Sequence, residues 1–257
     1  MSIYQHFREE ERSFVDQVLS WQKEVKYHYS EKLTDFLDPR QQEIIQLIIG
    51  NDDEISLAFF GGMGEVERKR AFLAPPYIEV NEESFDCTLF ELNYPVKFLQ
   101  LQHRDILGSL MAIGLKREKF GDIFIKDERI QFITAKEVAS FVEVNVTSIG
   151  KASVKLQKQP FGEQLQVIEN WSEASGTLSS LRLDAVISEI YRLSRSKVDP
   201  LLKKGYVKVN WKVIESGSYQ LTERDHLSVR SYGRSQLLQI EGTTKKGKIR
   251  VSYRVKK

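Results

Sequence analysis

Cysteine is almost missing: the chain of 257 residues has one, Cys87. A lone thiol forms no internal disulfide, so packing must hold the fold, and such usage fits a reducing cytoplasm. Histidine is scarce as well. His6, His28, His103 and His226 are scattered, with no Cys or His partner at metal-ligand spacing, so no metal or cofactor is expected. Cys87 has no nucleophile context and reads as a buried structural thiol. No run of about 18 apolar residues exists, which excludes a membrane-spanning helix. Met1 to Arg12 is polar and acidic, without the basic and then apolar regions of a signal peptide. There is no Gly-x-Ser-x-Gly elbow. Gly61-Gly62-Met63-Gly64 lacks both the Lys-Ser/Thr of a P-loop and the spacing of a dinucleotide turn, so it reads as a tight turn. No catalytic residue is assigned, and the chain is expected not to be an enzyme.

What is present is an uneven charge. The net charge is only +2, yet Leu181 to Lys257 carries 18 Lys and Arg against 7 Asp and Glu, a balance of +11. The preceding 180 residues carry 20 against 29, a balance of −9. A basic module beside an acidic one points to an anionic polymer as partner.

The pattern along the chain predicts an α+β protein of three small domains. The first, 1–76, has an amphipathic helix over 10–27, with Phe14, Val18, Trp21 and Val25 on one face. A second helix starts at Pro39 and stops at Gly50-Asn51. Ser56 to Phe60 reads as a short buried strand, and Pro75-Pro76 as a boundary. In the second domain, 77–160, strands are expected at Thr88–Asn93, Ile123–Ile125, Arg129–Ile133 and Ala152–Gln157. Helices are expected at Arg104–Ile113 and, from a capping box at Thr134 to Glu137, through Val142. That order is RRM-like, or ferredoxin-like. Residues 161–180, rich in Ser, Thr and Gly, read as a linker with one strand around Gln164 to Glu169.

The third domain, 181–257, is the basic one. Leu183, Val186, Ile187, Ile190 and Tyr191 share one helical face, framed by Arg182 and Arg192. Ser194-Arg195-Ser196-Lys197 opens a second helix, with Pro200 near its start, and Lys203-Lys204-Gly205 closes it. Val207, Val209, Trp211 and Val213 alternate with Lys208, Asn210 and Lys212, a half-buried strand with a basic face. A hairpin follows, turning at Lys245-Lys246-Gly247-Lys248. A helix N-terminus offers amide hydrogens to a phosphate, and Arg195, Ser196 and Lys197 stand at that end. Such contacts supply affinity more than sequence selectivity, leaving the shape of a folded RNA to set specificity.

These residues resemble the S4 RNA-binding domain. The resemblance rests on Arg182-Leu183-Asp184, Ser194-Arg195-Ser196, Gly205-x-Val207-x-Val209-Asn210 and Asp225-x-Leu227-x-Val229. It implies an S4 (αL-type) fold and RNA contacts at Arg182, Arg195, Ser196, Lys197, Lys203, Lys204, Lys208 and Asn210. Arg192 and Lys212 extend the same candidate surface. Two positions depart from the pattern: Trp211 and Arg224 stand where glycines are usual. Either the turn after Asn210 differs, or Trp211 is an exposed aromatic available for stacking.

The rest of the chain resembles the YlmH family of bacterial S4 proteins. The matching stretches are Leu33-Thr34-Asp35-Phe36-Leu37-Asp38-Pro39-Arg40, Glu67-Arg68-Lys69-Arg70-Ala71, and His103 to Gly108 with Arg117 to Ile123. The resemblance implies an N-terminal α/β domain, an RRM-like middle domain and the S4 domain. It further implies a cytoplasmic protein of ribosome quality control. Its partners would be structured RNA (23S rRNA and tRNA) on the large ribosomal subunit, during rescue of stalled nascent chains. A second RNA contact is expected at His103, Arg104, Arg117 and Lys119, or at the hairpin lysines Lys245, Lys246 and Lys248. The alternatives are an RNA-modifying enzyme with an unrecognised site in the first two domains, and a protein-interaction adaptor linked to cell division.

Overall fold

The computed structural model describes residues 3–96, 99–150, 152–166 and 170–256. The chain divides into two compact units, Met1–Val167 and Ile168–Lys257. Among the described residues no helix is long and apolar enough to cross a membrane.

The first unit begins with α1 (Arg12–His28), which buries Val15, Val18, Trp21 and Val25, the face expected from the spacing. After β1 (Lys32–Leu33) comes α2 (Pro39–Ile49). Asp38 caps α2, its carboxylate accepting the Gln41 N–H at 2.9 Å while the Gln41 side chain accepts the Asp38 N–H at 3.0 Å. The two helices pack on a three-stranded sheet of order β1-β3-β2, where β2 is Ser56–Phe60 and β3 is Arg70–Ala74. β2 is half-buried rather than buried; the fully buried strand is β3. β3 escapes a period-two reading because Ala71, Phe72, Leu73 and Ala74 are covered on both faces, leaving no polar residue to alternate.

β4 (Cys87–Asn93), α3 (His103–Ala112), β5 (Phe120–Lys126), β6 (Arg129–Ala135) and α4 (Lys136–Asn145) follow. The short pair β7 (Ser148–Ile149) and β8 (Ala152–Ser153) leads into β9 (Lys155–Gln159). The sheet order β5-β6-β4-β9 is antiparallel throughout, as a ferredoxin-like sandwich requires. The expected capping box does not form. Thr134 is still extended within β6, its Oγ1 is buried with no hydrogen-bond partner, and α4 starts only after Ala135.

The second unit opens with β10 (Trp171–Leu178), followed by α5 (Leu183–Tyr191), α6 (Arg195–Lys203), β11 (Val207–Val209), β12 (Lys212–Val213), β13 (His226–Val229), β14 (Gly233–Thr243) and β15 (Ile249–Lys256). The sheet runs β10-β15-β14-β13-β11-β12. The helices share one core with it, built from Leu183, Val186, Ile187, Val198 and Leu202 against Val207, Leu227, Leu237 and Tyr253. Pro200 lies inside α6 rather than near its start. It deprives one turn of its hydrogen bond but leaves the helix intact.

Within the span expected as a linker, residues 161–166 and 171–178 are packed. Gln164 bonds both ways to the Met63 backbone, at 2.7 and 2.9 Å, and the Leu165 N–H donates to Gln131 at 2.7 Å. Residues 164–166 form no strand, and 167–169 lie outside the described residues. The strand stands further on: all eight residues of β10 pair with β15. Its small residues are a packing device. A Cβ on Gly176 would lie 2.7 Å from the Glu189 carboxylate of α5, so the composition that suggests a linker lets a helix cross closely.

Candidate nucleic-acid interface

Asn210 and Asp225 hold the frame of the second unit. The buried Asp225 carboxylate accepts the Asn210 side-chain amide and the Thr222 N–H, each at 2.8 Å. Asn210 Oδ1 accepts the His226 N–H at 2.9 Å. Both ends of the Asn210 amide are therefore engaged, and its place in the motif is explained by the turn. Arg182 is similarly committed: its guanidinium grips both oxygens of Asp184, at 3.1 and 2.7 Å. That bond holds the Asp184 carboxyl below its ordinary range.

The two glycine departures keep glycine backbone. Asn210 and Trp211 have φ of 46° and 66°, and Val209 pairs with Lys212 around them, the geometry of a two-residue type I′ hairpin. Arg224 has φ of 68°. Trp211 is half-exposed, with its ring centroid 5.1 Å from that of His226. A side chain in this region costs about 1 kcal/mol, which glycine avoids. Trp211→Gly should therefore leave stability equal or raise it by roughly 0.5–1 kcal/mol. Thermal unfolding checks this; a fall of several degrees would mean that the indole contact, not the backbone, governs the turn.

The remaining candidate cations of the basic unit reach solvent. Arg195, Ser196 and Lys197 are exposed at the first turn of α6, which contains no acidic residue. Lys203 and Lys204 are exposed at its other end, about 12 Å along the axis. Lys208 and Lys212 are exposed on the β11–β12 hairpin, and Lys245, Lys246 and Lys248 on the β14–β15 turn. Arg192 ends α5 with φ of 54° and bonds Glu189 at 3.1 Å. The strand alternation also brings out Arg234 and Arg254, which a tally of charge clusters passes over because each stands alone in sequence.

The expected second contact in the first unit divides. His103 and Arg104 are exposed at the start of α3. Arg117 and Lys119 face inward to structure. Arg117 Nη1 donates to the Phe120 and Gly121 carbonyls at 2.6 and 3.1 Å, and Lys119 bonds Asp35 at 2.6 Å and Glu137 at 3.1 Å. They belong to a seam where the stretches carrying the family resemblance converge. Arg68, 6% exposed, donates to the Phe36 and Phe120 carbonyls. Arg70, 4% exposed, donates to the carbonyls of Thr34, Phe85 and Asp86. Asp122 accepts the Glu67 and Arg68 amides at 2.5 and 3.2 Å.

Burial raises the Asp122 pKa from 3.8 to about 6, with the nearby Glu67 charge adding to it. The folded unit keeps this proton where the unfolded chain has released it. The associated stability is full below pH 3.8 and is lost as pH rises to about 6. Asp122→Asn should remove that part of the pH dependence, read by urea unfolding at about pH 4 and pH 6.5. A variant with the wild-type slope would assign it to another group. Burial also pushes the Cys87 thiol up to about 12, so thiolate chemistry is suppressed there. Among the described residues no cluster of three His, Cys, Asp or Glu could hold a metal.

Comparison with known proteins places three family descriptions along the chain. Residues 10–78 match "YlmH, N-terminal", 80–163 match "Putative RNA-binding domain in YlmH", and 181–227 match "S4 domain". A relative from Bacillus subtilis (strain 168), named ribosome-associated protein quality control protein P2, is 47% identical over 251 residues. The match covers 98% of this chain and 97% of that protein. A solved structure of a protein named cell division protein ylmH, from Streptococcus pneumoniae, shares 31% identity at a TM-score of 0.55, covering 64% of this chain and all of that one.

Proposed function

The chain belongs to the YlmH family of S4-domain RNA-binding proteins, and from that premise we propose a specific role. It is a non-enzymatic cytoplasmic protein that grips structured rRNA and tRNA on the large ribosomal subunit during rescue of stalled nascent chains. One observation carries the RNA contact: the first turn of α6 exposes Arg195, Ser196 and Lys197 and includes no acid. The positive helix end and the amides of a first turn favour an anion, and two cations stand in that same turn to add to the attraction. The quality-control name of the Bacillus relative supports the setting.

The test is crosslinking in cells followed by sequencing of the captured RNA, with sedimentation of the protein on purified subunits. Enrichment of 23S rRNA and tRNA, and migration with the large subunit, are expected. Crosslinks scattered over messenger RNA, with no subunit association, would overturn the reading. Capture of division proteins that survives RNase would favour the adaptor role, which the cell-division name of the Streptococcus protein suggests.

A further inference from the structure

The face of the second unit's sheet turned away from α5 and α6 carries a continuous stripe of side chains. It begins at Trp171 on β10. The Arg254 guanidinium of β15 lies over that indole, 4.5 Å from the ring centroid. Arg254 Nε donates to Gln236 Oε1 of β14 at 2.8 Å, and Gln236 Nε2 lies 2.8 Å from His226 Nε2 of β13. The His226 ring then meets Trp211 in the β11–β12 turn, at 5.1 Å and 41°. Five adjacent elements each contribute one residue, so the stripe crosses about 19 Å of sheet. Rings at both ends are half-exposed.

The flanks are basic. Lys208, Ser228 and Arg234 stand in register across β11, β13 and β14, and Lys256 pairs with Trp171. The acid in register with them is Glu173, opposite Arg254. A solvent-facing sheet with polar outward residues would serve solubility alone. Two indoles there, one bonded under a guanidinium and the other at a backbone position suited to glycine, do not serve solubility. Aromatic faces beside cations are what nucleobases stack on, and a sheet of four strands can hold two or three bases this way.

We propose that this stripe is a stacking platform for unpaired RNA bases, separate from the phosphate contact at the start of α6. It rests on the reading that the unit binds RNA. It adds a ligand class that helix-end phosphate binding does not supply, namely single-stranded or bulged nucleotides rather than duplex backbone.

The experiment titrates the full chain with three probes: a ten-nucleotide oligoadenylate, a blunt RNA duplex and an abasic oligomer of equal charge. Oligoadenylate should quench tryptophan emission and bind more tightly than the abasic oligomer. Trp171→Leu and Trp211→Gly should each weaken oligoadenylate roughly tenfold and leave the duplex unchanged, whereas Trp171→Phe, which keeps a ring, should retain most of the affinity. Unaltered hydrogen exchange in β13 to β15 shows that the variants fold. Oligoadenylate affinity unchanged in a folded variant that combines Trp171→Leu with Trp211→Gly overturns the platform, as does equal binding of the abasic oligomer. If those results come with duplex binding that still depends on Arg195 and Lys197, the platform alone fails. If the wild-type chain binds none of the probes, the RNA reading fails and the platform with it.

Discussion

Replacing Arg70 by alanine will destabilise the first unit by about 3–5 kcal/mol, a large part of what a domain of this kind has. The guanidinium is buried, and its nitrogens serve the Thr34 carbonyl at 2.7 Å, Phe85 at 3.1 Å and Asp86 at 2.9 Å. Alanine leaves these acceptors without their donor, each costing about 1–3 kcal/mol if water does not reach it. It also empties the volume of a long side chain that lies 6.0 Å from the Phe36 ring centroid. The readout is hydrogen exchange of the β3 amides, with the urea midpoint of the same transition. A cost below about 1 kcal/mol would show that water replaces the guanidinium and that the seam is not closed. Because Arg70 belongs to the first unit, the exchange protection of β11 to β15 should not change.

That seam marks where reading the sequence succeeds and where it stops. Helix faces are legible because Val18, Trp21 and Val25 recur at helical spacing. The ferredoxin-like order is legible from alternation and turn residues. The S4 frame is legible because Asn210 and Asp225 hold a turn whose backbone needs them. The seam is not legible. Arg68, Arg70, Arg117 and Lys119 look like surface cations in sequence; only the fold shows that Arg117 turns back onto the carbonyls of Phe120 and Gly121, and that the partners of the other three are carbonyls and acids from distant segments. Charge identity does not reveal whether a cation faces solvent or a buried carbonyl. The stripe on the second sheet is hidden for a related reason. Trp171, His226 and Arg254 each read as isolated, and strand register alone makes them neighbours.

Reversing Arg195 and Lys197 to glutamate should reduce affinity for structured RNA by about two to four orders of magnitude, from the loss of two charge-assisted phosphate contacts of about 1.5–3 kcal/mol each. The fold should survive, and the reason is electrostatic. Both positions lie in the first turn of α6, where a carboxylate is favourable to the helix dipole by about 0.3–1 kcal/mol. Loss of binding is thereby separated from loss of structure, which Arg182→Ala would not achieve because Arg182 holds Asp184. The reversal should also flatten the salt dependence. The log–log slope of affinity against salt falls by about 0.9 for each duplex phosphate contact removed, so a change near 1.8 is expected. Reversing Lys203 and Lys204 instead places acid at the negative end of the same helix, and should lower stability as well as affinity. Gel shifts between about 50 and 200 mM salt, with thermal unfolding of each variant, distinguish the two outcomes. If the Arg195 and Lys197 reversal binds as tightly as the wild type with the same salt slope, the start of α6 does not hold the RNA.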